Sequence, residues 1–236
     1  VLIAVGLILL AAYGLRHSVS STTLLELAVV IPSIILHEVS HGVAALWCGD
    51  DTARRARRLT LNPLRHVDPL GTLVLPALLA LSGLGVFGYA KPVPVNPARM
   101  RHPRNDHVLV SLAGPATNLL LAAASVLVFR AVAPVGMGRL VTYFGPYPPV
   151  PVGYRLLYLL GFLNCILAVF NALPVPPLDG SVLVERLLPR SALPTWWQIR
   201  RYAMIGLLVL VLLDPGHILI HVFGPAERAF AHLLVS

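Results

Sequence analysis

Apolar and polar residues do not alternate along this chain; they fall into long apolar blocks separated by short polar loops. Residues 24–47, 108–132 and 156–173 are apolar runs, and a helix of about 20 such residues crosses the ~30 Å hydrocarbon core of a bilayer. Residues 1–15 are a shorter apolar run ending at Arg16-His17, predicted as a retained first span because no small-residue cleavage pattern follows it. A last run, 202–222, is interrupted by Asp214-Pro215-Gly216. Between the polar loops lies another apolar run, 70–86, which contains Pro76 and several glycines. The stretch Tyr89-Ala90-Lys91-Pro92-Val93-Pro94-Val95-Asn96-Pro97 then follows, and its prolines cannot continue a helix. In an extended chain Pro92 and Pro94 leave one edge without N–H donors, while Val93 and Val95 present theirs on the other. The alternative for this stretch is a stiff polyproline-like linker. Leu59-Thr60-Leu61 has the look of a short strand.

Charge refines this picture into a topology. Of the 236 residues 57% are hydrophobic and only 12% charged, against roughly 25% in soluble domains, which excludes an ordinary soluble enzyme. The formal net charge is +8, but 13 of the 18 Lys and Arg lie in loops 49–68, 89–105 and 186–201. Basic residues gathered between apolar spans orient a membrane protein, and no base-stacking aromatics accompany them, so no nucleic-acid partner is expected. All three loops are expected on the cytoplasmic side, so the run 70–86 must enter and return on one side. Pro76 and the glycines permit such a re-entrant segment where protein shields the backbone. Span 108–132 then runs outward and span 156–173 returns, delivering Asp179 to the side of His37 and His41. The expected fold is an all-α polytopic membrane protein: about five transmembrane helices, a re-entrant segment and a small membrane-associated β element. It forms one domain over 1–236, with a catalytic core over about 24–186 and accessory spans 1–20 and 202–223. Cys48 and Cys165 are the only cysteines, which excludes a disulfide framework and a cysteine-type zinc site.

Within the second span stands His37-Glu38-Val39-Ser40-His41. Residues four apart lie on one helix face, so both imidazoles can reach one metal ion, with Glu38 beside them to hold a water. A charged residue at the centre of a transmembrane helix costs about 2.5–3.5 kcal/mol on insertion scales, so ionisable groups there point to function. A catalytic zinc site has three protein ligands and an open position. The third ligand is sought among the acidic residues. Glu26, Asp50, Asp51, Asp68, Asp106, Glu185 and Glu227 read as span-edge or loop charges. Asp179, in a Pro-rich turn that ends a span, is the candidate, and Asp214, near the second histidine pair His217 and His221, is its rival.

Three motifs in order carry a resemblance: HEVSH in an early span, AGPATN at 113–118, and NALPVPPLDG at 171–180. Together they resemble the site-2 protease family of intramembrane zinc metalloproteases, over nearly the whole stretch 24–186. The basic loop, LTLNP and AKPVPVN are similar to the short branch of that family without a PDZ domain. The resemblance implies one Zn²⁺ per chain held by His37, His41 and Asp179, with Glu38 as the catalytic glutamate. It implies supporting roles for Asn171 and Asn118, the first toward substrate backbone and the second in packing or hydrogen bonding near the site. It also favours the one-edged strand, with Val93 and Val95 pairing an unwound substrate.

The implied reaction is hydrolysis of a peptide bond in or near the transmembrane segment of a single-span membrane protein, in regulated intramembrane proteolysis. The partners are that substrate and the lipid bilayer, and the expected location is a bacterial plasma membrane with the active site toward the cytoplasm. The alternative is a metal transporter or metal-binding membrane protein using the same three ligands, against which Glu38 between the histidines argues. Substrate identity and oligomeric state are not readable from the residues.

Overall fold

The structure is a computed structural model that describes residues 21–68, 91–147, 149–213 and 218–235. The expected first span, the re-entrant run 70–86, and Asp214 and His217 lie outside the described residues. The elements are α1 (Ser21–Trp47), a one-turn α2 (Thr52–Arg55), α3 (Pro103–Val132), α4 (Met137–Phe144), α5 (Val152–Ala172), α6 (Ser181–Leu187), α7 (Leu193–Leu213) and α8 (Ile218–Val235). Among the described residues three helices are long and apolar enough to cross a membrane: Leu24–Trp47 within α1, then α3 and α5. They pack against one another, and Leu27, Ile31, Leu120 and Leu127 point outward from the bundle with large exposed areas. Apolar side chains on the outside and polar ones within is the arrangement a bilayer solvent demands.

Small residues set how closely these helices approach. The buried seam of α3 is Ser111, Gly114, Asn118, Ala122 and Ser125, and side chains this short let backbones meet where no hydrophobic force draws helices together. Hydrogen bonds then fix the register. Ser125 Oγ donates to the Leu157 carbonyl on α5, and Asn164 Nδ2 on α5 donates to Ser33 Oγ on α1 at 2.8 Å. Pro103 starts α3 with the φ a first turn needs, and Asp106 accepts from the His102 backbone N–H at 2.7 Å beside the positive helix end. At the other end of α5, Pro174 ends the helix.

The Arg101 N–H donates to the Cys48 carbonyl at 2.9 Å, so the chain leaves α1 and rejoins the bundle at α3 on the same end. The turn after α5 also lies there, because Ser111 Oγ in the first third of α3 donates to the Asp179 carbonyl at 2.8 Å. Helices α1 and α5 therefore run one way and α3 the other. At the opposite end Phe129, Val141, Val150, Phe230 and Leu234 form an apolar cluster that joins α3, α4 and α8.

Three features depart from the sequence expectation. The loop 134–153 contains the helix α4, whose Val141 is fully buried and whose Gly138 lies against the Leu234 carbonyl. The described parts of the run expected as a span over 202–222 lie in α7 and α8, and α7 begins upstream within the expected basic loop. No strand occurs among the described residues: 91–96 form no ladder, and 59–61 bend at Thr60.

Candidate metal centre

Four positions of α1 spaced one turn apart, Ser33, His37, His41 and Ala45, form a buried stripe facing α3 and α5. Most of a membrane helix is free to be apolar; the two histidines are tolerated here because each ring has polar partners. His41 Nδ1 donates to the Val110 carbonyl at 2.7 Å. His37 Nδ1 lies 3.3 Å from Asn118 Oδ1, and Asn118 is completely buried. A carbonyl can only accept, so His41 carries its proton on Nδ1, and the Asn118 contact assigns the same tautomer to His37. Both Nε2 atoms therefore present lone pairs.

Those lone pairs converge. His37 Nε2 and His41 Nε2 are 3.1 Å apart, and Asp179 Oδ2 lies 3.1 Å from the first and 3.3 Å from the second. Among the described residues this is the one group of three metal-ligating side chains whose ligand atoms cluster this closely. Three acceptors meeting in a buried site repel one another unless a cation joins them. Ligands at about 2.0–2.1 Å from a tetrahedral zinc stand about 3.3 Å from one another, which is the size of this triangle.

Asp179 reaches the triangle through a tight turn. The Gly180 N–H donates to the Asn171 carbonyl at 2.7 Å, and a Cβ at Gly180 would collide with the Ala172 carbonyl, so only glycine lets the turn fold back onto the end of α5. Asp179 Oδ2 stands at the third corner of the triangle, and an aspartate of ordinary pKa, about 3.9, is ionised at neutral pH. It is a carboxylate, ready to ligate without losing a proton.

Gly114 keeps the ligands' approach clear. A Cβ there would stand 2.5 Å from His37 Nε2 and from His41 Nε2, pressing on two corners of the triangle. Pro115, the next residue, lacks an N–H and so releases the Ser111 carbonyl from the helix ladder. The triangle thus fits zinc on its donor set and its dimensions, and a glycine stands where any side chain would crowd the two imidazoles.

The remaining site residues sit around this centre. Glu38 is half-buried on the neighbouring face of α1, and its Oε2 accepts from the Val93 N–H at 2.8 Å. Val93 is buried, and Val95 packs beside Ala45, Met100 and Val110. Asn171 donates to the Leu167 carbonyl of its own helix at 3.0 Å rather than to the histidines. His221, on α8, belongs to no ligand cluster among the described residues. Sequence reasoning passed over Gly114, the Val110 carbonyl and Asp50. The AGPATN motif held a signal for Gly114, since a glycine costs helix stability and needs a compensating reason. Asp50, read as a span-edge charge, is instead fully buried; it accepts from the amides of Thr52 and Asn96 at 3.0 and 2.6 Å, and from the Thr52 hydroxyl.

Residues 152–213 match Peptidase family M50. The chain is 37% identical over 188 residues to "Putative zinc metalloprotease YwhC" of Bacillus subtilis, covering 79% of this chain and 80% of that protein. It is 35% identical over 163 residues to "Putative zinc metalloprotease Rip2" of Mycolicibacterium smegmatis, covering 69% of this chain and 56% of that protein. To the protein of the same name from Mycobacterium tuberculosis it is 35% identical over 185 residues, covering 76% of this chain and 63% of that one. The chain therefore spans less than two thirds of the mycobacterial relatives' length. No solved structure matches it.

Proposed function

Because the chain belongs to peptidase family M50, the site-2 type of zinc metalloprotease, we propose that it cuts single-span membrane proteins in or near their transmembrane segment. Its zinc is assigned to His37, His41 and Asp179, and Glu38 is its proton-transfer group. The observation that carries this reading is the triangle of three acceptor atoms 3.1–3.3 Å apart beside Gly114. Membership of a protease family decides against the transporter alternative.

The chemistry supplied by bound zinc is that of a Lewis acid, which brings the pKa of water toward roughly 7 and polarises a peptide carbonyl. The protein's own groups do the rest. The Val110 carbonyl and Asn118 hold the two imidazoles with Nε2 inward, a role whose loss commonly weakens metal binding 10–100-fold. Glu38 takes a proton from the attacking water and returns it to the leaving amine as the peptide C–N bond breaks. An intact substrate helix hides its carbonyls in i to i−4 bonds, so the segment must unwind before it is cut. Residues 91–96, which lie against Glu38, are the surface on which an unwound segment is read, with Val95 and the helix-end Asn171 in supporting roles.

The proposed setting is a bacterial plasma membrane, with the whole of 1–236 as one domain and the metal centre toward the cytoplasm. In addition to the three candidate spans, this arrangement includes accessory spans at either end, bringing the total to about five. The return of the chain from Trp47 to Pro103 on one face supports a re-entrant rather than a crossing path for 70–86, since one crossing would deliver Pro103 to the other face.

The test is Glu38→Gln in cells. The variant should keep one zinc per chain while membrane proteomics shows uncut single-span precursors accumulating, with turnover down by about 10²–10⁴-fold. A Glu38→Gln chain that leaves the membrane proteome as the wild type does would overturn the reading.

A further inference from the structure

Glu38 is held from outside the helical bundle. Its Oε2 accepts from the Val93 backbone N–H at 2.8 Å, and Val93 is only 7% exposed, so the bond is sheltered from water. The donor is itself fixed at both ends of its segment. Upstream, the Lys91 N–H donates to the His66 carbonyl at 2.9 Å, and Arg58 Nη2 donates to the Lys91 carbonyl at 2.6 Å. Downstream, the Asn96 N–H donates to Asp50 Oδ2 at 2.6 Å. Between these ties the Val93 side chain packs over Gly42, one helical turn after Glu38; a Cβ there would come within 3.0 Å of Val93 Cγ1. A strut is thus tied to the loop that follows α1 and presents one amide to α1.

We infer that the backbone amide of Val93 is a positioning group for the reaction: it anchors one oxygen of Glu38 and leaves the other aimed at the water. The inference rests on the reading of Glu38 as the proton-transfer group. A carboxylate on a flexible two-carbon stem samples several rotamers, and one charge-assisted N–H bond to a fixed backbone selects among them. Asp50 and Arg58 act one step further out, by holding the strut in register. The arrangement also constrains substrate reading. A substrate strand laid along 91–96 cannot take the Val93 N–H without releasing Glu38, so pairing and proton transfer compete for this one donor.

Two measurements test this on the full chain in detergent micelles. The first is amide hydrogen exchange, which needs neither zinc nor substrate. Proline supplies no amide, so a fragment covering 91–97 reports only Lys91, Val93, Val95 and Asn96. Glu38→Ala should speed exchange at Val93 by about 10- to 100-fold and leave Lys91, which is tied to His66, unchanged. Unchanged exchange at Val93 would overturn the inference. The second uses a quenched fluorescent single-span peptide. Val93→Pro deletes the donor and should lower kcat by about 10- to 100-fold, a part of what proton transfer supplies, with KM and zinc content held. Val93→Ala trims the packing but keeps the donor, and should fall about 10-fold less. In a Glu38→Gln background, Val93→Pro should cost nothing more, because the two groups act as one. A Val93→Pro chain with wild-type kcat, or with raised KM alone, overturns the positioning role. If Glu38→Gln itself cleaves at the wild-type rate, the reading of Glu38 has failed instead.

Discussion

Replacing Gly114 by alanine adds one methyl group against the two imidazoles of the proposed site. That carbon would stand 2.5 Å from His37 Cε1, His37 Nε2 and His41 Nε2. Non-bonded contacts of carbon settle at about 3.5–4.0 Å, so the overlap is about 1 Å and something must move. If α3 retreats, it stretches the bond from His41 Nδ1 to the Val110 carbonyl, now 2.7 Å, and that from Ser111 Oγ to the Asp179 carbonyl, now 2.8 Å. If the imidazoles swing away instead, they leave Asn118 and Val110. Either route removes groups that orient the ligands, and such losses commonly weaken metal binding 10–100-fold, about 1.4–2.8 kcal/mol. Backbone propensity works in the opposite direction, since alanine is favoured over glycine in a helix by about 1 kcal/mol. A purely helical account therefore predicts a sturdier protein, and the packing account predicts one that loses zinc. The assay is competition with a chromogenic chelator on purified protein in detergent, together with elemental analysis of retained zinc. Gly153→Ala, in α5 where a Cβ meets nothing within 4 Å, is the control for the backbone effect and should bind zinc as the wild type does. A Gly114→Ala chain that holds zinc with wild-type affinity would refute the placement of the ion among His37, His41 and Asp179.

Two other perturbations probe the surroundings of the centre. Asn118→Ala removes the acceptor opposite His37 Nδ1, and should cost about 10–100-fold in zinc affinity while the helix content measured by circular dichroism stays constant. An affinity equal to the wild type would mean that Asn118 does not orient the ring. Asp50→Asn tests the strut through pH. Burial pushes the Asp50 carboxyl up, but the Asn96 amide, the Thr52 hydroxyl and amide, and Arg99 together hold it below its ordinary value. A depressed carboxylate stabilises the fold above its unfolded pKa and loses that contribution as pH falls through the folded value. Wild type should therefore be the more stable at pH 7, by about 1–3 kcal/mol, and the gap in thermal midpoint should close on acidification through the carboxylate range. A gap that stays constant with pH would show that the charge of Asp50 carries none of the effect.

Much of the bundle could be read from the residues. The runs containing α1, α3 and α5 declare themselves by hydrophobicity alone, because a bilayer rewards each span separately. The pair His37 and His41 declares itself by spacing, because four residues bring two side chains to one helix face whatever the helix packs against. The end of the bundle to which Asp179 returns followed from counting crossings and basic residues. Less could be read where two elements share one task. α4 was hidden in a Pro/Gly-rich loop because eight residues are shorter than the window over which a helical period is read, and its burial depends on α8. Asp50 looked like an exposed charge because nothing near it in the sequence announces that the Asn96 amide will come to it.

By itself, then, the sequence marked the chain as a membrane protein, gave the approximate course of its three main apolar helices, and singled out the side chains that are candidates for the chemistry. These follow from hydrophobic length and helical period, properties that act within one segment. Only the tertiary structure decided how that chemistry is aimed: that Asn118 rather than Asn171 faces His37, that Gly114 leaves the two imidazoles uncrowded, and that the Val93 amide takes hold of Glu38. The contacts involved join residues 55, 81 and 142 positions apart. The first of them uses a backbone N–H, which every residue other than proline offers alike. No residue type marks such a group in advance, so it acquires its partner only when the chain folds.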